Sequence, residues 1–366
     1  MNNTTAPATV LRRHATKYRK LAEDTAKAAL HAPLSEQDTI LRAAERLAKN
    51  ADSLERRALA NAAQPTPSVV TLSVDATGAE VKKARKRQAI QQGTETYLPA
   101  WSDVAMGLPT HFLRSALFST REHVQTCVPT TGDEEHSSMV VNKKINSFDN
   151  LNLTLTGYEL SQFDRKVYAT CLDYYRDSPL APKGSESYIK TTFYQFIKRM
   201  GQSYGLNTHR AIRASLLRLS LAQLRLRYND WNLEVPKLLT VSFKDGAING
   251  KYNASDILTL QISESIAKLF GPGQWTAVDK DAVIYDGLKG WLASFYAGHS
   301  QAAWLPVDTL RQISGYSSDR SNFKKSLIAA LEKLKEECTP NCSRVSEYHF
   351  KDDGTAVMVV RSAWKK

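Results

Sequence analysis

The sequence predicts an α+β fold in which one unit of helices and short strands occurs twice behind a helical N-terminal extension. Three observations lead to this prediction. Apolar residues recur at helical spacing near the N-terminus, short strands and compact helices alternate from about residue 148 onward, and their order repeats from about residue 279. With 366 residues, 42% of them hydrophobic, the chain is long enough for two or three domains of roughly 100 to 200 residues each.

The N-terminal extension is predicted to consist of two helices. Residues 8–62 are rich in Ala, Leu, Arg, Lys and Glu, and their apolar positions are spaced as in a helix with a break at Pro33. Ser35 follows this proline and Asp38 comes three residues later, which predicts that Ser35 caps the second helix. We therefore assign residues 1–63 to a helical N-terminal segment.

The next segment, residues 64–100, loses this periodicity and gathers prolines and glycines, so we interpret it as a flexible basic linker. Its basic residues are Lys82, Lys83, Arg85, Lys86 and Arg87. Such a run either stays solvated or adds contacts to nucleic-acid phosphates that do not depend on base sequence. Residues 101–147 are predicted to be a connecting segment.

The first repeated unit is predicted over residues 148–263. Its elements are a helix over 159–175, an extended stretch at 188–190, a short helix over 192–200, a turn with Gly201 and Gly205, a longer helix over 207–222, and strands at 223–229, 237–244 and 257–262. Turn-forming pairs at residues 245–246 and 249–250 precede the third strand.

The second unit, over residues 264–366, is predicted to have the same order. Its elements are a helix over 279–297, a short helix over 307–314 ended by Gly315, a long helix over about 319–337, and strands at 344–350 and 355–361 that meet at Asp353 and Gly354. Helix, short helix, turn, long helix and hairpin form the winged-helix arrangement, in which a helix-turn-helix element is followed by a wing. We therefore predict tandem winged-helix domains.

The charge of the chain favours a polyanionic partner. Lys and Arg outnumber Asp and Glu by 49 to 37, which gives a net charge of +12 and a pI near 9.4. Nucleic acid is the most common partner of so basic a domain, although a merely soluble basic protein has the same totals.

The first long helix has an apolar face and a basic face. Ile212, Leu216 and Leu219 share the apolar face, and Gln223 is predicted on the same side. No acidic residue occurs between Glu186 and Asp230, so the basic face is not neutralised by its neighbours. Because the N-terminal part of a recognition helix reaches the bases, the predicted DNA-binding residues here are Asn207, Thr208, His209, Arg210, Arg213 and Arg218.

The second long helix is predicted to turn an apolar stripe inward and a basic, polar first half outward. Asp319 is predicted to cap this helix, and the acidic residues Glu332, Glu336 and Glu337 fall in its second half. The predicted DNA-binding residues are Ser318, Arg320, Ser321, Asn322, Lys324 and Lys325. The alternative for both helices is an ordinary solvated surface.

The sequence contains no signal for catalysis. A rolling-circle nuclease needs paired histidines, but none of the eight histidines forms His-x-His, and an ATP-driven helicase loader needs a Gly-Lys-Ser or Gly-Lys-Thr that does not occur. Cys338 and Cys342 enclose Pro340 and Asn341, which indicates a turn more than a zinc site. We expect a protein that is not an enzyme and uses no metal or cofactor.

The predicted location is the cytoplasm. No apolar run approaches the roughly 18 residues that a membrane span needs, and the N-terminus lacks the apolar core of a secretory signal.

Several segments resemble the TrfA family of plasmid replication initiators. They are Arg114-Ser115-Ala116-Leu117-Phe118-Ser119-Thr120-Arg121, Leu155-Thr156-Gly157-Tyr158-Glu159-Leu160, Thr192-Phe193-Tyr194 and the Pro-Ala-Trp at 99–101. The resemblance covers about residues 97–366. It implies tandem winged-helix domains that bind direct repeats (iterons) at a plasmid origin, promote opening of the origin and recruit host replication proteins.

The resemblance also implies partners. These are double-stranded DNA, the host replicative helicase, the host initiator and the sliding clamp, with an equilibrium between monomers and dimers. The stretch Gln92-Gly93-Thr94-Glu95-Thr96-Tyr97-Leu98 departs from the family's clamp-binding motif, which puts clamp binding in doubt. Residues 1–96 either contact the host helicase or initiator or serve in oligomerisation or solubility. A rival interpretation of the chain is a tandem winged-helix transcriptional repressor, which typically binds inverted repeats as a symmetric dimer.

Overall fold

The computed structural model describes residues 8–62, 86, 90, 93, 95–120, 139–149, 151–182, 188–228, 231–243 and 252–364. The chain divides into two compact units, residues 1–77 and 78–366. Helices and strands both occur in the second unit, which confirms the α+β prediction. Within the described ranges, no helix combines the length and apolar character needed to cross a membrane.

The first unit contains a pair of long helices, α1 (Ala8–Ala29) and α2 (Leu34–Ala62), which confirms the two predicted helices. Their buried positions are alanines seven residues apart within each helix, a spacing typical of coiled coils. They are Ala15, Ala22, Ala29, Ala44 and Ala51. Arg19 on α1 forms salt bridges with Asp52 and Glu55 on α2, at 3.0 and 2.7 Å. The two helices are therefore connected by ion pairs as well as by packing.

The start of α2 differs from the prediction. The helix already begins at Leu34, and the Glu36 amide donates to the Pro33 carbonyl at 2.9 Å. Ser35 therefore lies inside the first turn, and the prediction that it caps the helix from outside is wrong.

Much of the stretch from residue 95 to residue 161 belongs to the core of the compact unit formed by residues 78–366. The sequence predicts a linker and a connecting segment for most of this stretch. The elements are β1 (Glu95–Thr96), β2 (Ala105–Pro109), α3 (Thr110–Leu113), β3 (Phe118–Ser119), β4 (Val140–Ile145), β5 (Asn152–Gly157) and β6 (Leu160–Ser161). All five residues of β2 are buried, as are Phe112 and Phe118. Residues 101–120 and 139–147 thus pack as part of the unit formed by residues 78–366.

The first repeated unit follows this stretch. Its elements are α4 (Gln162–Tyr174), β7 (Ala181–Pro182), β8 (Ile189–Thr192), α5 (Phe193–Arg199), α6 (Leu206–Leu221), β9 (Gln223–Tyr228), β10 (Trp231–Val235), β11 (Leu239–Phe243) and β12 (Ile257–Ile262). Three strands form an antiparallel sheet in the order β11-β12-β8. The sequence prediction misses β10, which belongs to a second sheet of order β10-β9-β5-β4. The turn formers at 245–246 and 249–250 lie outside the described residues.

A 3-10 helix (Glu264–Phe270) leads into the second repeated unit. Its elements are β13 (Trp275–Asp279), α7 (Lys280–Val283), α8 (Gly287–Ala297), β14 (Trp304–Pro306), α9 (Val307–Ile313), α10 (Arg320–Lys335), β15 (Val345–Phe350) and β16 (Ala356–Arg361). The sheet order is β14-β16-β15. Both repeated units therefore contain a helix, a strand, a short helix, a long helix and a hairpin in this order, with β9 and β10 inserted before the hairpin of the first unit. The equivalent strands of the two sheets pair in the same order.

The predicted helix over 279–297 is helical over most of its length, but it is interrupted at residues 284–286. Residues Trp275–Asp279 form a strand, and the helical residues after it are divided between α7 and α8. Gly287 has a φ of +54°, a left-handed conformation that interrupts a right-handed helix.

Strand β2, which precedes the first repeated unit, pairs with β13 of the second repeated unit. Their antiparallel register places Gly107 opposite Ala277, the middle residue of each strand, and each strand leads directly into a four-residue helix. The junction is therefore locally two-fold symmetric. A Cβ at Gly107 would collide with the Trp101 ring, so this close packing needs glycine.

Gly315 lies in the turn between α9 and α10, where it packs closely against Ser119. A substitution at Gly315 tests this contact. Its φ is +69°, and an added Cβ would lie 2.7 Å from the Cβ of Ser119. We expect Gly315→Ala to lower the free energy of unfolding by about 2 kcal/mol or more, because left-handed backbone alone costs about 1 to 3 kcal/mol in a non-glycine residue. Urea denaturation measures the loss.

Gly273→Ala is the control for that variant. Its φ is +72°, but nothing lies within 4 Å of an added Cβ, so it reports the backbone cost alone. Equal losses in the two variants would contradict the close contact between Gly315 and Ser119.

Candidate nucleic-acid interface

The outward face of α6 begins directly after the turn that follows α5. Its exposed residues are Leu206, Asn207, Arg210 and Ala211, and its partly buried ones include Thr208, Arg213 and Ala214. Asn207, Arg210 and Ala214 are spaced by three and four residues, so they form one stripe along the helix. The stripe combines hydrogen-bond donors, positive charge and short side chains, which suits it to a DNA major groove.

Arg218 does not belong to that face, and its prediction as a DNA-binding residue is wrong. Its buried guanidinium donates to both carboxylate oxygens of Asp164 on α4, at 2.7 and 3.4 Å, and the Ser215 hydroxyl donates to the same carboxylate at 2.6 Å. A buried charge needs such a partner, so the pair faces inward together. Gln223, predicted on the apolar face of the helix, is instead an exposed residue of β9.

His209 is also buried, and its prediction as a DNA contact is wrong. The ring stacks on Phe193 with centroids 3.9 Å apart, and its Nδ1 lies 3.2 Å from the Tyr204 hydroxyl. Burial lowers the pKa of His209 below its usual value of 6.5, so the ring is neutral at pH 7. His209 supports the first turn of α6 from beneath.

Aromatic side chains of the β11–β12 hairpin hold the arginines of α6. The Arg213 guanidinium lies 4.3 Å from the centroid of the Phe243 ring and 5.6 Å from that of Tyr252, and the Arg210 guanidinium lies 5.7 Å from Tyr252. Cation–π contacts at these distances are attractive. They connect helix and hairpin, so both arginines are positioned before a ligand arrives.

The outward face of α10 is polar. Its exposed predicted residues are Arg320, Ser321, Asn322 and Lys325, whereas Ser318 and Lys324 are partly buried. Asp319 accepts a hydrogen bond from the Asn322 amide at 2.8 Å, which confirms the predicted cap. Arg320 lies 3.5 Å from the Asp308 carboxylate, so part of the positive charge at this helix end is compensated.

The two long helices can be aligned by their buried residues. Ile212, Leu216 and Leu219 of α6 match Phe323, Leu327 and Ala330 of α10. This alignment places Arg213 level with Lys324. The Lys324 ammonium lies 5.2 Å from the centroid of the Phe350 ring, and Phe350 ends β15 as Phe243 ends β11. Each unit thus repeats one contact, in which a cation of the long helix lies over an aromatic ring of the hairpin.

The predicted basic run is represented among the described residues by Lys86, while Lys82, Lys83, Arg85 and Arg87 lie outside them. The Lys86 ammonium donates to the Arg176 carbonyl at 2.8 Å and lies 5.3 Å from the centroid of the Tyr97 ring. Burial lowers the pKa of Lys86. Lys86 therefore packs against the protein, and phosphate contacts of the other four residues stay a prediction.

Buried cations on α4 hold the two repeated units together. Arg165 donates to the carbonyls of Val283 and Tyr285, both at 3.2 Å. Burial lowers the pKa of Arg165 to about 10, which leaves it charged at neutral pH. Lys166, whose side chain is 1% exposed, pairs with Asp286 at 2.5 Å. Helix α4 is therefore joined to α6 by the pair of Asp164 and Arg218, and to the segment around Val283 and Tyr285 by directional hydrogen bonds.

Removing the charge of Asp164 tests this scaffold. We expect Asp164→Asn to lower the free energy of unfolding by about 3 to 5 kcal/mol, because it leaves the Arg218 guanidinium buried without a counter-charge. Glu234→Gln is the matched control, since Glu234 pairs with Arg225 at 3.3 Å on the surface, where a pair contributes about 0 to 1 kcal/mol. Chemical denaturation of both variants gives the comparison. Similar losses would mean that Asp164 and Arg218 are not a buried pair.

Two outward helix faces with basic and polar residues, on two units of one scaffold, are the arrangement expected of a nucleic-acid-binding protein. The model of the TrfA protein family matches residues 70–350. The chain therefore belongs to the TrfA family of replication initiators, which confirms the resemblance found in the sequence.

Solved structures also resemble this chain. A crystal structure of domains 2 and 3 of RctB matches this chain with 12% sequence identity and a TM-score of 0.41. The match covers 70% of this chain and 99% of the RctB chain. Another structure of RctB domains 2–3 covers 61% and 90%, with 12% identity and a TM-score of 0.36. No curated protein matches the sequence.

Proposed function

We propose that this chain is a plasmid replication initiator that binds directly repeated double-stranded DNA sites (iterons) at an origin through two winged-helix domains. The observation that carries the proposal is the repeated contact in which Arg213 or Lys324 lies over an aromatic ring of the adjoining hairpin. In helix-turn-helix proteins the second helix enters the major groove and reads bases with its N-terminal residues. Helices α6 and α10 are the recognition helices of this proposal.

The order of elements supports the winged-helix assignment. In the first unit, α5, the turn with Gly201 at a φ of +78°, and α6 correspond to the helix-turn-helix, and the β11–β12 hairpin corresponds to the wing. In the second unit, α9, the turn at Gly315, α10 and the β15–β16 hairpin correspond to the same parts.

Direct repeats fit the asymmetry of the chain. Because α6 and α10 carry different outward residues, one molecule presents two different recognition surfaces and selects an asymmetric sequence. Asymmetric sites can be repeated in one direction, whereas a symmetric dimer of identical modules selects inverted repeats. A tandem winged-helix transcriptional repressor is the alternative, and it would use the same two helices at a promoter.

We propose further that the protein acts by binding and is not an enzyme. In this proposal it promotes opening of the origin in the bacterial cytoplasm and recruits host replication proteins, which carry out DNA synthesis. The α1–α2 pair lies in a compact unit of its own, which suits either contact with a host helicase or initiator or oligomerisation.

A footprint of the purified protein on DNA of its own replicon tests the proposal. At physiological salt with non-specific competitor DNA, we expect protection of several sites repeated in the same direction beside an AT-rich stretch. Protection of a single inverted repeat over a promoter would instead favour the repressor. Absence of any specific protection would overturn the proposed function.

Single substitutions test the two helices separately. We expect Arg210→Ala and Lys325→Ala each to weaken specific binding by about 1 to 3 kcal/mol, the range for a side chain that contacts a base. Lys333→Ala is the matched control, because Lys333 is an exposed lysine in the last turn of the helix that carries Lys325. Fluorescence anisotropy with specific DNA measures all three. If Lys333→Ala and Lys325→Ala have equal effects, the N-terminal half of α10 is not the recognition surface.

A further inference from the structure

Helices α6 and α10 differ in chemistry at two equivalent outward positions. The alignment of their buried residues places Ala211 and Ala214 of α6 level with Asn322 and Lys325 of α10. Ala211 is exposed and Ala214 is partly exposed. Among residues 320–327, all of which the structure describes, every exposed side chain is polar or charged. The scaffold therefore repeats, but the surface that it presents does not.

Leu206 enlarges the apolar part of the α6 face. It is the first residue of the helix and is 45% exposed, and no residue of the first two turns of α10 is comparable among those described. Single exposed apolar residues are common on protein surfaces and need no explanation. In the first three turns of α6, the exposed Leu206 and Ala211 and the partly exposed Ala214 occur together, and Ala211 and Ala214 lie where α10 is polar. This apolar surface has one natural counterpart in the major groove.

That counterpart is the 5-methyl group of thymine, the apolar group that base edges present in the major groove. Alanine side chains are short, so the helix backbone can approach the bases while Asn207 and Arg210 extend to neighbouring base pairs. We propose that α6 recognises thymine methyl groups in its half of the DNA site through Ala211 and Ala214, flanked by Leu206, whereas α10 reads its half by hydrogen bonds. This inference rests on the proposed function, because it requires α6 to enter a major groove.

Deoxyuridine in place of thymidine tests the inference, because it removes the methyl group and keeps the base pairing. The two halves of a footprinted site are assigned by the half in which Arg210→Ala or Lys325→Ala weakens protection. With uracil in the α6 half, we expect binding about fourfold weaker for each contacted methyl group that is lost. This factor corresponds to the free energy of burying one methyl group, about 0.8 kcal/mol. With uracil in the α10 half, we expect unchanged binding.

Substitutions assign the effect to the residues. The double variant Ala211→Asn, Ala214→Lys gives α6 the side chains that α10 carries at the equivalent positions, so both are compatible with a helix surface. We expect this variant to lose its preference for thymine over uracil. Ala329→Asn is the control, because Ala329 is an exposed alanine farther along α10, and we expect it to keep the preference in full. Circular dichroism checks that each variant is folded.

The outcomes separate this inference from the proposed function. Equal affinity for thymine and uracil in the α6 half, with specific binding otherwise intact, would overturn the inference and leave the proposed function standing. A preference that survives the double variant, or that lies in the α10 half, would overturn it as well, because the methyl contacts would then belong to other residues. Absence of specific binding to any replicon DNA would overturn the proposed function and the inference with it.

Discussion

The buried carboxylate of Asp164 and the two cations that follow it on α4 connect α6, which we propose as a recognition helix, to the second repeated unit. Successive helical residues point about 100° apart, so three neighbours reach three sides of one helix. Asp164 accepts from the Ser161 amide at 2.8 Å, which starts α4, and from Arg218, which holds α6. Arg165 and Lys166 then reach the second repeated unit through α7 and α8. One turn of α4 thus connects α6 to the second repeated unit.

Charged groups at this junction serve specificity more than stability. A buried ion pair contributes little net free energy relative to apolar residues of the same volume, but an arrangement that breaks it leaves a charge buried alone and is strongly disfavoured. An apolar contact would tolerate small sliding movements between the units. The guanidinium of Arg165 donates to two backbone carbonyls, and this directional contact permits much less sliding movement. The cation–π contacts of Arg213 and Lys324 extend the same control from the helices to the hairpins.

The sequence predicts the elements whose pattern is local and fails where a distant partner decides. Helices α6, α9 and α10 are found because their periodicity lies within one segment. Strand β2 is missed for two reasons. It is buried on both faces, so its sequence does not alternate in polarity, and its partner β13 is far along the chain. The same reason explains the residue errors. Arg218 lies on the polar side of α6 when that helix is considered alone, and only the neighbouring α4 supplies Asp164 to pair with it. Asn207, Arg210 and Lys325, which have no such inward partner among the described contacts, are exposed as expected.

The local two-fold symmetry of the β2–β13 junction makes the difference between the outward faces of α6 and α10 informative. Two identical units related by such an axis would present identical faces, and the natural target of that arrangement is an inverted repeat. Here the buried residues and the cation over the hairpin ring are kept in both units, while the outward residues differ, with Ala211 against Asn322 and Ala214 against Lys325. Under the proposed function, these unlike faces would give one chain a direction along DNA. The proposed binding to direct repeats requires such a direction, because copies of the chain on neighbouring repeats would share it, whereas a symmetric dimer would select inverted repeats.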